Sequence, residues 1–501
     1  MNMFANAARE DSTHTYTENG AQALNTTKDD RLDFFATVGA LRQTDDQRIF
    51  RLFENAYQVD PLFATKILFY GRDIREGLGE RDTFRKILAY AASRHPEAIR
   101  PNIDLIGFYG RWDDLYSLIG TPLEDDMWAA MKKQWDADVR AMMNGKPVSL
   151  LAKWVKTADA SSEKTRKLGI LTAKKLGLPV REYKRKYRVM RRQIKVVEQL
   201  MSQNKWREIN YSGVPSRAMK LYRNAFKKHD SSGFSEFLSK VERGEAKINA
   251  STLYPYDVVR EYFRIRNFRI CDVRTNTPDP VIEAQWKQMI SDFGNIDANA
   301  IVIADTSGSM FCNNAMPIAS SLALATMFAT VNKGAFHNLF MEFSTESRFV
   351  QLKGDTLLDQ IMNMMKDCSW GMSTNLEGAF KRILKVAVGN QIPASEMPKA
   401  LLVISDMEID YCLTNHGKWS FHDKMAAEFA RHGYKLPTIV YWNVNSRHDT
   451  FHVDADKPGA ILVSGSSANS FKQVMECISM TPVEAMEKII NSERYNPITV
   501  D

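Results

Sequence analysis

Cysteine is scarce in this chain. Five residues in 501 (Cys271, Cys312, Cys368, Cys412 and Cys477) are scattered, odd in number and never spaced as Cys-x-x-Cys. That argues against a disulfide scaffold and against a zinc site, and it fits a reducing, cytoplasmic compartment. Long apolar runs are scarce too. No stretch reads as the ~20 apolar residues a membrane helix needs, so no membrane association is expected. The polar amino terminus lacks a secretory pattern. Phosphate-cradling Gly-x-x-x-x-Gly-Lys-Ser/Thr and the Gly-x-Ser-x-Gly elbow are both missing, which removes two common routes to hydrolysis. His416 and His422 lie near Asp410 and Asp423, but their spacing matches no ligand pattern. The expectation is a protein that is not an enzyme.

What is present is length and an uneven charge. A chain of 501 residues with 44% hydrophobic and 25% charged residues is an ordinary globular composition spread over two or three domains. The net charge of +7 conceals a split. Residues 1–300 carry 50 basic and 39 acidic side chains, whereas residues 301–501 carry 17 and 21. Residues 151–230 alone hold 22 basic against 6 acidic, a net of +16. A polyanion-binding surface needs such an asymmetry.

The pattern divides the chain into a flexible N-terminus (1–30), an all-helical domain (31–295), an α/β domain (296–470) and C-terminal helices (471–501). In the second segment, helix breaks fall at Asp60-Pro61, His95-Pro96, Thr121-Pro122, Lys146-Pro147, Leu178-Pro179 and Val214-Pro215. No fixed repeat period is visible. After Asn299, apolar strands alternate with helices, which predicts a parallel sheet. Strands are expected at Ala300–Ala304, Asn338–Phe343, Ala400–Ser405, Thr438–Trp442 and Ala460–Val463.

Within the basic segment, Met190, Ile194, Val197 and Met201 recur at helical spacing and can face a core. Lys184, Arg185, Lys186, Arg188, Arg191, Arg192 and Lys195 then supply positive charge elsewhere on the helix. Trp154, Tyr183, Tyr187, Trp206, Tyr211 and Tyr222 are interleaved with them. Cations neutralise phosphates and aromatic rings stack on unpaired bases, so these residues are candidates for RNA. The competing reading is a solvated basic face with its aromatics in the core.

Ile301-Val302-Ile303-Ala304 leads into Asp305-Thr306-Ser307-Gly308-Ser309. A buried strand ending in one carboxylate and two hydroxyls presents hard oxygen ligands, which suit Mg²⁺ or Mn²⁺ better than zinc. The carboxyl edge of a parallel sheet is where open α/β folds place their ligands. Thr374, in the loop before Leu376–Val388, can add a hydroxyl. Asp406, after the strand Ala400–Ser405, can add a second carboxylate. Glu408 and Asp410 either tune the charge of this site or are exposed loop carboxylates. The order of these elements resembles the metal-ion-dependent adhesion site of von Willebrand factor A domains. That resemblance implies a metal with one position open to a carboxylate from a protein partner.

The helical part contains Gly77-Leu78-Gly79-Glu80-Arg81-Asp82 and Gly110-Arg111-Trp112-Asp113-Asp114-Leu115. These look like signatures of the TROVE module of Ro-type RNA-binding proteins. Val214-Pro215-Ser216-Arg217-Ala218-Met219, Phe226-Lys227-Lys228-His229-Asp230 and Gly244-Glu245-Ala246-Lys247-Ile248 look closer still to a family that pairs a Ro-like helical half with a von Willebrand A-like half. The resemblance implies a multidomain α + α/β fold, with a ring of HEAT-like helical repeats followed by the A domain. It also implies binding of single-stranded or small structured RNA. Arg111 either contacts RNA or packs in the ring. Arg217 either caps a helix or meets phosphate, and Glu80, Arg81 and Asp82 are expected to form an internal ion pair. The function expected is non-catalytic RNA binding with a metal-dependent A domain. The alternative is a protein-interaction scaffold, for an ATPase or a virion assembly, that binds no RNA.

Overall fold

The computed structural model describes residues 12–501 apart from 195, 267–268, 295, 297, 372 and 411–420. Its strands, in chain order, are β1 (His14–Tyr16), β2 (Gln22–Leu24), β3 (Phe263–Arg266), β4 (Arg269–Val273), β5 (Ala300–Asp305), β6 (Leu339–Phe343), β7 (Arg348–Gln351), β8 (Ala400–Ser405), β9 (Thr438–Asn443) and β10 (Ala460–Ser464). A helical N-terminal half is followed by a six-stranded sheet in the order β10-β9-β8-β5-β6-β7. Five of these strands run parallel, and β7 pairs antiparallel with β6. The sheet is therefore mixed, not wholly parallel. The short, partly exposed Arg348–Gln351 carries too little apolar pattern to stand out as a strand.

The chain divides into two compact units, and the division departs from the expected one. One unit comprises residues 1–59 and 247–492, and the other residues 60–246 and 493–501. In the sheet unit, β5, β8 and β10 are buried along their whole length. They read as continuous apolar runs because both faces of the sheet are covered. The stretch expected to be a flexible N-terminus is, from residue 14 onward, the antiparallel pair β1–β2 followed by Asp30–Phe35. The helices Asp30–Phe35 and Asp46–Val59 also join the sheet. Gly39 N–H donates to Ser464 Oγ at 3.0 Å, Ser446 N–H to Ala40 C=O at 3.0 Å, and Arg48 Nε meets Asp449 at 2.8 Å. The Asp60-Pro61 break is the point where the chain leaves this unit. Asp60 there caps Phe63 N–H at 2.9 Å, and proline takes the first helical position, where no N–H is needed.

One helical stretch, Gly308–Val331, is long and apolar enough to cross a membrane by length and composition, contrary to the expectation that no run would be. Most of it is buried inside the fold, where it packs against the sheet. Its first turn is broken by three left-handed residues, Asn313, Asn314 and Ala315.

The other unit is helical, with Pro61–Arg72, Asp82–Arg94, Glu124–Met143, Glu163–Lys175, Val180–Gln193, Ser216–His229 and Ser231–Glu242 as its longer members. All six proline-marked breaks lie between helices. Its core is aromatic. Phe69 packs edge-on against Phe84 and Tyr109, and Trp135 lies 5.2 Å from Tyr183. The chain terminus returns to this unit. Arg494 grips Asp73 through two bonds of 2.8 and 2.9 Å, and Tyr495 stacks on Tyr109. The expected block of C-terminal helices is thus split. Asn469–Met475 and Pro482–Ile490 complete the sheet unit, and residues 493–501 close the helical one.

Candidate metal centre and basic helical surface

Asp305 is the last residue of β5 and is fully buried. Its Oδ1 accepts Ser307 N–H at 2.8 Å and its Oδ2 accepts Ser405 Oγ–H at 2.5 Å. Ser307 Oγ and Ser309 Oγ lie 3.2 Å apart. Ser309 also faces Asp406 across the edge and helps to hold its carboxyl down. Asp406 Oδ1 accepts Glu408 N–H at 3.3 Å, and Arg447 Nη2 stands 3.1 Å from Oδ2. Three of the five expected ligands, Asp305, Ser307 and Ser309, therefore form one hydrogen-bonded cluster, with Asp406 beside it. Thr374 joins through neighbours. Its N–H donates to Asp410 at 2.6 Å, and Asn19 Nδ2 reaches its Oγ1 at 3.5 Å. Asn375 caps Gly378 N–H and starts the following helix, which fixes the loop.

The donor set suits a hard divalent cation. Two hydroxyl oxygens 3.2 Å apart are close to the ~3 Å between adjacent vertices of an octahedron with ligands at about 2.1 Å. Among the described residues no group of three or more His, Cys, Asp and Glu side chains can hold a metal, so a cation here would rely on hydroxyls beside two carboxylates. The charges also call for one. Burial first, and the Asp406 charge second, push Asp305 well above the usual carboxylate range. Burial raises Asp406 as well, with Arg447 pulling the other way. Of the two buried carboxylates, Asp406 alone meets a guanidinium, which leaves room for more positive charge.

Several residues that hold the site were not legible in the sequence. Glu342 on β6 is fully buried and accepts Thr306 Oγ–H at 2.8 Å, Ser369 N–H at 2.7 Å and Trp370 N–H at 2.9 Å. It pins the loop that leads to Thr374. Its one signal was a lone glutamate within the apolar strand Leu339–Phe343. Glu408 is fully buried as well, and so is not an exposed loop carboxylate. It accepts Glu18 N–H at 2.6 Å and meets His448 Nδ1 at 3.0 Å. Asp410, half-buried, binds Thr374 N–H and is not surface decoration either. Arg447, Glu18 and Asn19 gave no local signal, because their roles depend on segments hundreds of residues apart. His416 lies outside the described residues. His422 is half of a structural contact, with Nε2 3.2 Å from Gly459 C=O.

The basic residues separate into two classes. On Val180–Gln193, Tyr183, Tyr187 and Met190 are buried, so these aromatics belong to the core. Arg181, Arg185, Arg188 and Arg192 are exposed, and their spacing of four, three and four puts them on one stripe opposite that core. Arg188 is shared with Asp159 at 2.5 Å, which Lys184 approaches at 3.5 Å. Lys186 pairs with Glu182 at 2.8 Å. Arg191 is drawn inward. Its guanidinium donates to the carbonyls of Ala152 and Val155 at 2.7 and 3.2 Å and lies over Tyr187. The helix ends at Gln193, short of the expected core positions Ile194, Val197 and Met201, and Val197 starts a new helix. Lys195 lies outside the described residues.

Arg111 also serves packing. It stacks 3.7 Å above Trp154 and holds Asp113 through bonds of 2.9 and 2.7 Å. Asp114, fully buried, takes Arg72 Nε at 2.7 Å and Arg85 Nε at 2.6 Å. Arg217 is exposed in the first turn of Ser216–His229. Arg81 and Asp82 pair at the surface at 2.9 Å.

Comparison with family models divides the chain near residue 297, where the sequence pattern changes, and not at the limits of the two compact units. Family models described as domains of unknown function match residues 17–175 and 148–296 (DUF2828) and residues 299–498 (DUF7788). A relative, "Uncharacterized protein L728" of Acanthamoeba polyphaga mimivirus, is 26% identical over 529 aligned positions, covering 97% of this chain and 89% of the relative. Among solved structures, the Ro (RSR) protein of Deinococcus radiodurans superposes with a TM-score of 0.47 at 16% identity, covering 90% of this chain and 99% of that one. The DUF2828 match spans more than half of the chain, and the chain belongs to that family.

Proposed function

We propose that this is a non-catalytic, cytoplasmic RNA-binding protein of the Ro-like type. Its helical unit binds single-stranded or small structured RNA, and its sheet unit is a von Willebrand A-like domain that engages a protein partner through Mg²⁺ or Mn²⁺. The observation that carries the RNA reading is the exposed stripe Arg181, Arg185, Arg188 and Arg192 within a segment of net charge +16. The stripe spans about 16 Å of helix at 1.5 Å per residue, a length that follows a nucleic-acid backbone. On this helix phosphate neutralisation, and not base stacking, is the source of affinity, since Tyr183 and Tyr187 are buried.

At the carboxyl edge of the sheet, Ser307, Ser309 and Thr374 would offer hydroxyl oxygens, and Asp305 and Asp406 would bind directly or through water. The cation supplies a docking point for an acidic partner group. The protein's own residues orient the donors: Ser405 and Ser307 N–H fix Asp305, and Asp410 fixes Thr374.

Filter binding of a single-stranded RNA across a salt series tests the RNA reading. Affinity should fall steeply with salt, and Arg185→Ala with Arg192→Ala should reduce the logarithmic slope by about 1.4, at roughly 0.7 for each phosphate that is no longer neutralised. A flat salt dependence in the wild type, or no binding at low salt, would favour a scaffold whose basic face meets an acidic protein.

A further inference from the structure

The candidate metal centre is covered by the protein's own N-terminal turn. Thr17 to Gly20 connects β1 to β2 and lies along the segment that follows Asp406. Thr17 Oγ–H donates to Ile409 C=O at 2.6 Å, Glu18 N–H to Glu408 Oε2 at 2.6 Å, and Asn19 Nδ2–H to Glu408 C=O at 2.6 Å. Gly20 forms an antiparallel bridge with Asp410. Further along, Leu24 and Phe451 exchange backbone bonds of 2.7 and 2.9 Å. Two contacts reach the site itself. Asn19 Nδ2 lies 3.5 Å from Thr374 Oγ1, and Arg447 joins Glu18 Oε2 at 2.6 Å to Asp406 Oδ2 at 3.1 Å. The Glu18 carboxylate is thus one guanidinium away from a candidate ligand. With the turn in place, Asp305, Ser307, Thr374 and Asp406 are each at most 1% exposed, while Ser309 is half-buried.

A site meant to receive an acidic group from outside would need an open face, whereas this one already has an acidic side chain fastened beside it. We propose that the Thr17–Gly20 turn is a resident cover over the metal centre, with Glu18 held at its rim through Arg447, on the path that the acidic group of a protein partner would take. The inference rests on the metal reading above. Capture of such a partner then requires the turn to leave, and Arg447 is the clasp, since its guanidinium bridges the turn and the ligand Asp406. The fastening is polar and reversible. Within the turn it consists of hydrogen bonds and one partly exposed ion pair, contacts that contribute about 1 kcal/mol each, and the adjoining stretch buries only the small side chains of Ala21 and Ala23.

Water-proton relaxation with Mn²⁺ as the sole probe tests this on the full chain, because the enhancement reports how many exchangeable waters reach the bound ion. At equal Mn²⁺ occupancy, Glu18→Ala with Asn19→Ala should raise the enhancement about 1.5-fold or more over wild type. Arg447→Gln, which leaves the N-terminal backbone untouched, should do the same, and it keeps the test decisive if the double variant does not fold. Wild-type enhancement in the folded variants would overturn the proposal while leaving the metal reading intact. No Mn²⁺ uptake by the wild type would overturn both.

Discussion

Two pairs of buried aspartates, one in each unit, have been resolved in opposite ways. Asp113 and Asp114 in the helical unit are surrounded by Arg72, Arg85, Arg111 and Lys156. Burial alone would raise Asp113, but Arg111, helped by Arg85 and Lys156, holds it below the ordinary value. In the sheet unit Arg447 pairs with Asp406 and not with Asp305, and both aspartates are raised. Burial is similar in the two places. What differs is the count of cations, and that separates a saturated structural clamp from a site that still attracts positive charge.

The sharpest way to break this contrast is to remove a cation from the clamp. Arg72→Met leaves Asp114 buried with half its compensation, and should cost about 3–5 kcal/mol in urea unfolding. A loss below about 1 kcal/mol, the size of an ordinary exposed pair, would mean that the clamp is not saturated after all. Adding a cation to the other site should act in the opposite sense. Mg²⁺ or Mn²⁺ at a hundredfold excess over its dissociation constant should stabilise the protein by about 2.7 kcal/mol, and Asp305→Ala should abolish that gain in a thermal melt. In metal-free protein, Asp305→Asn should change stability by no more than about 1 kcal/mol, because losing one of two repelling charges offsets the lost hydrogen bonding. A penalty as large as that of Arg72→Met would show that the sites are alike.

The smallest effect concerns pH. Asp113 has a folded pKa below its unfolded value, so its contribution is present above the unfolded pKa and is lost as pH falls through the folded one. Acid unfolding of Asp113→Asn, followed by circular dichroism, should show a shallower slope below about pH 4, the usual carboxylate range. It should match the wild-type slope near neutrality.

Much of this was readable along the chain. Prolines after Asp60, His95 and Val214 stop helices for a local reason, the missing N–H and the restricted residue before the ring, whereas Glu163–Lys175 already ends at a left-handed Gly177 ahead of Pro179. The runs Ala300–Asp305 and Ala400–Ser405 are apolar because both faces of the sheet are covered, and a strand-end aspartate is visible after each. Ser307 and Ser309 follow by geometry, two residues apart in one tight turn. The arginine stripe could have been found too, since its four-three-four spacing is a property of the helix alone.

Other features were decided only by tertiary contact. The motif Gly110-Arg111-Trp112-Asp113-Asp114 does not say that its arginine faces Trp154 and Asp113, because Trp154 arrives from another helix. Nothing near Arg191 in sequence announces the carbonyls of Ala152 and Val155. Residues 14–59 resemble a polar leader and two ordinary helices, yet they belong with the sheet, because Ser446, Asp449 and Ser464 bind them across some 400 positions. Local sequence determined where elements start and stop and which oxygen donors end the strands, since those depend on backbone sterics and periodicity. Which charges would be neutralised, and whether the strand-end carboxylates would stand open or under Glu18 and Arg447, was decided by distant segments brought together in the folded unit.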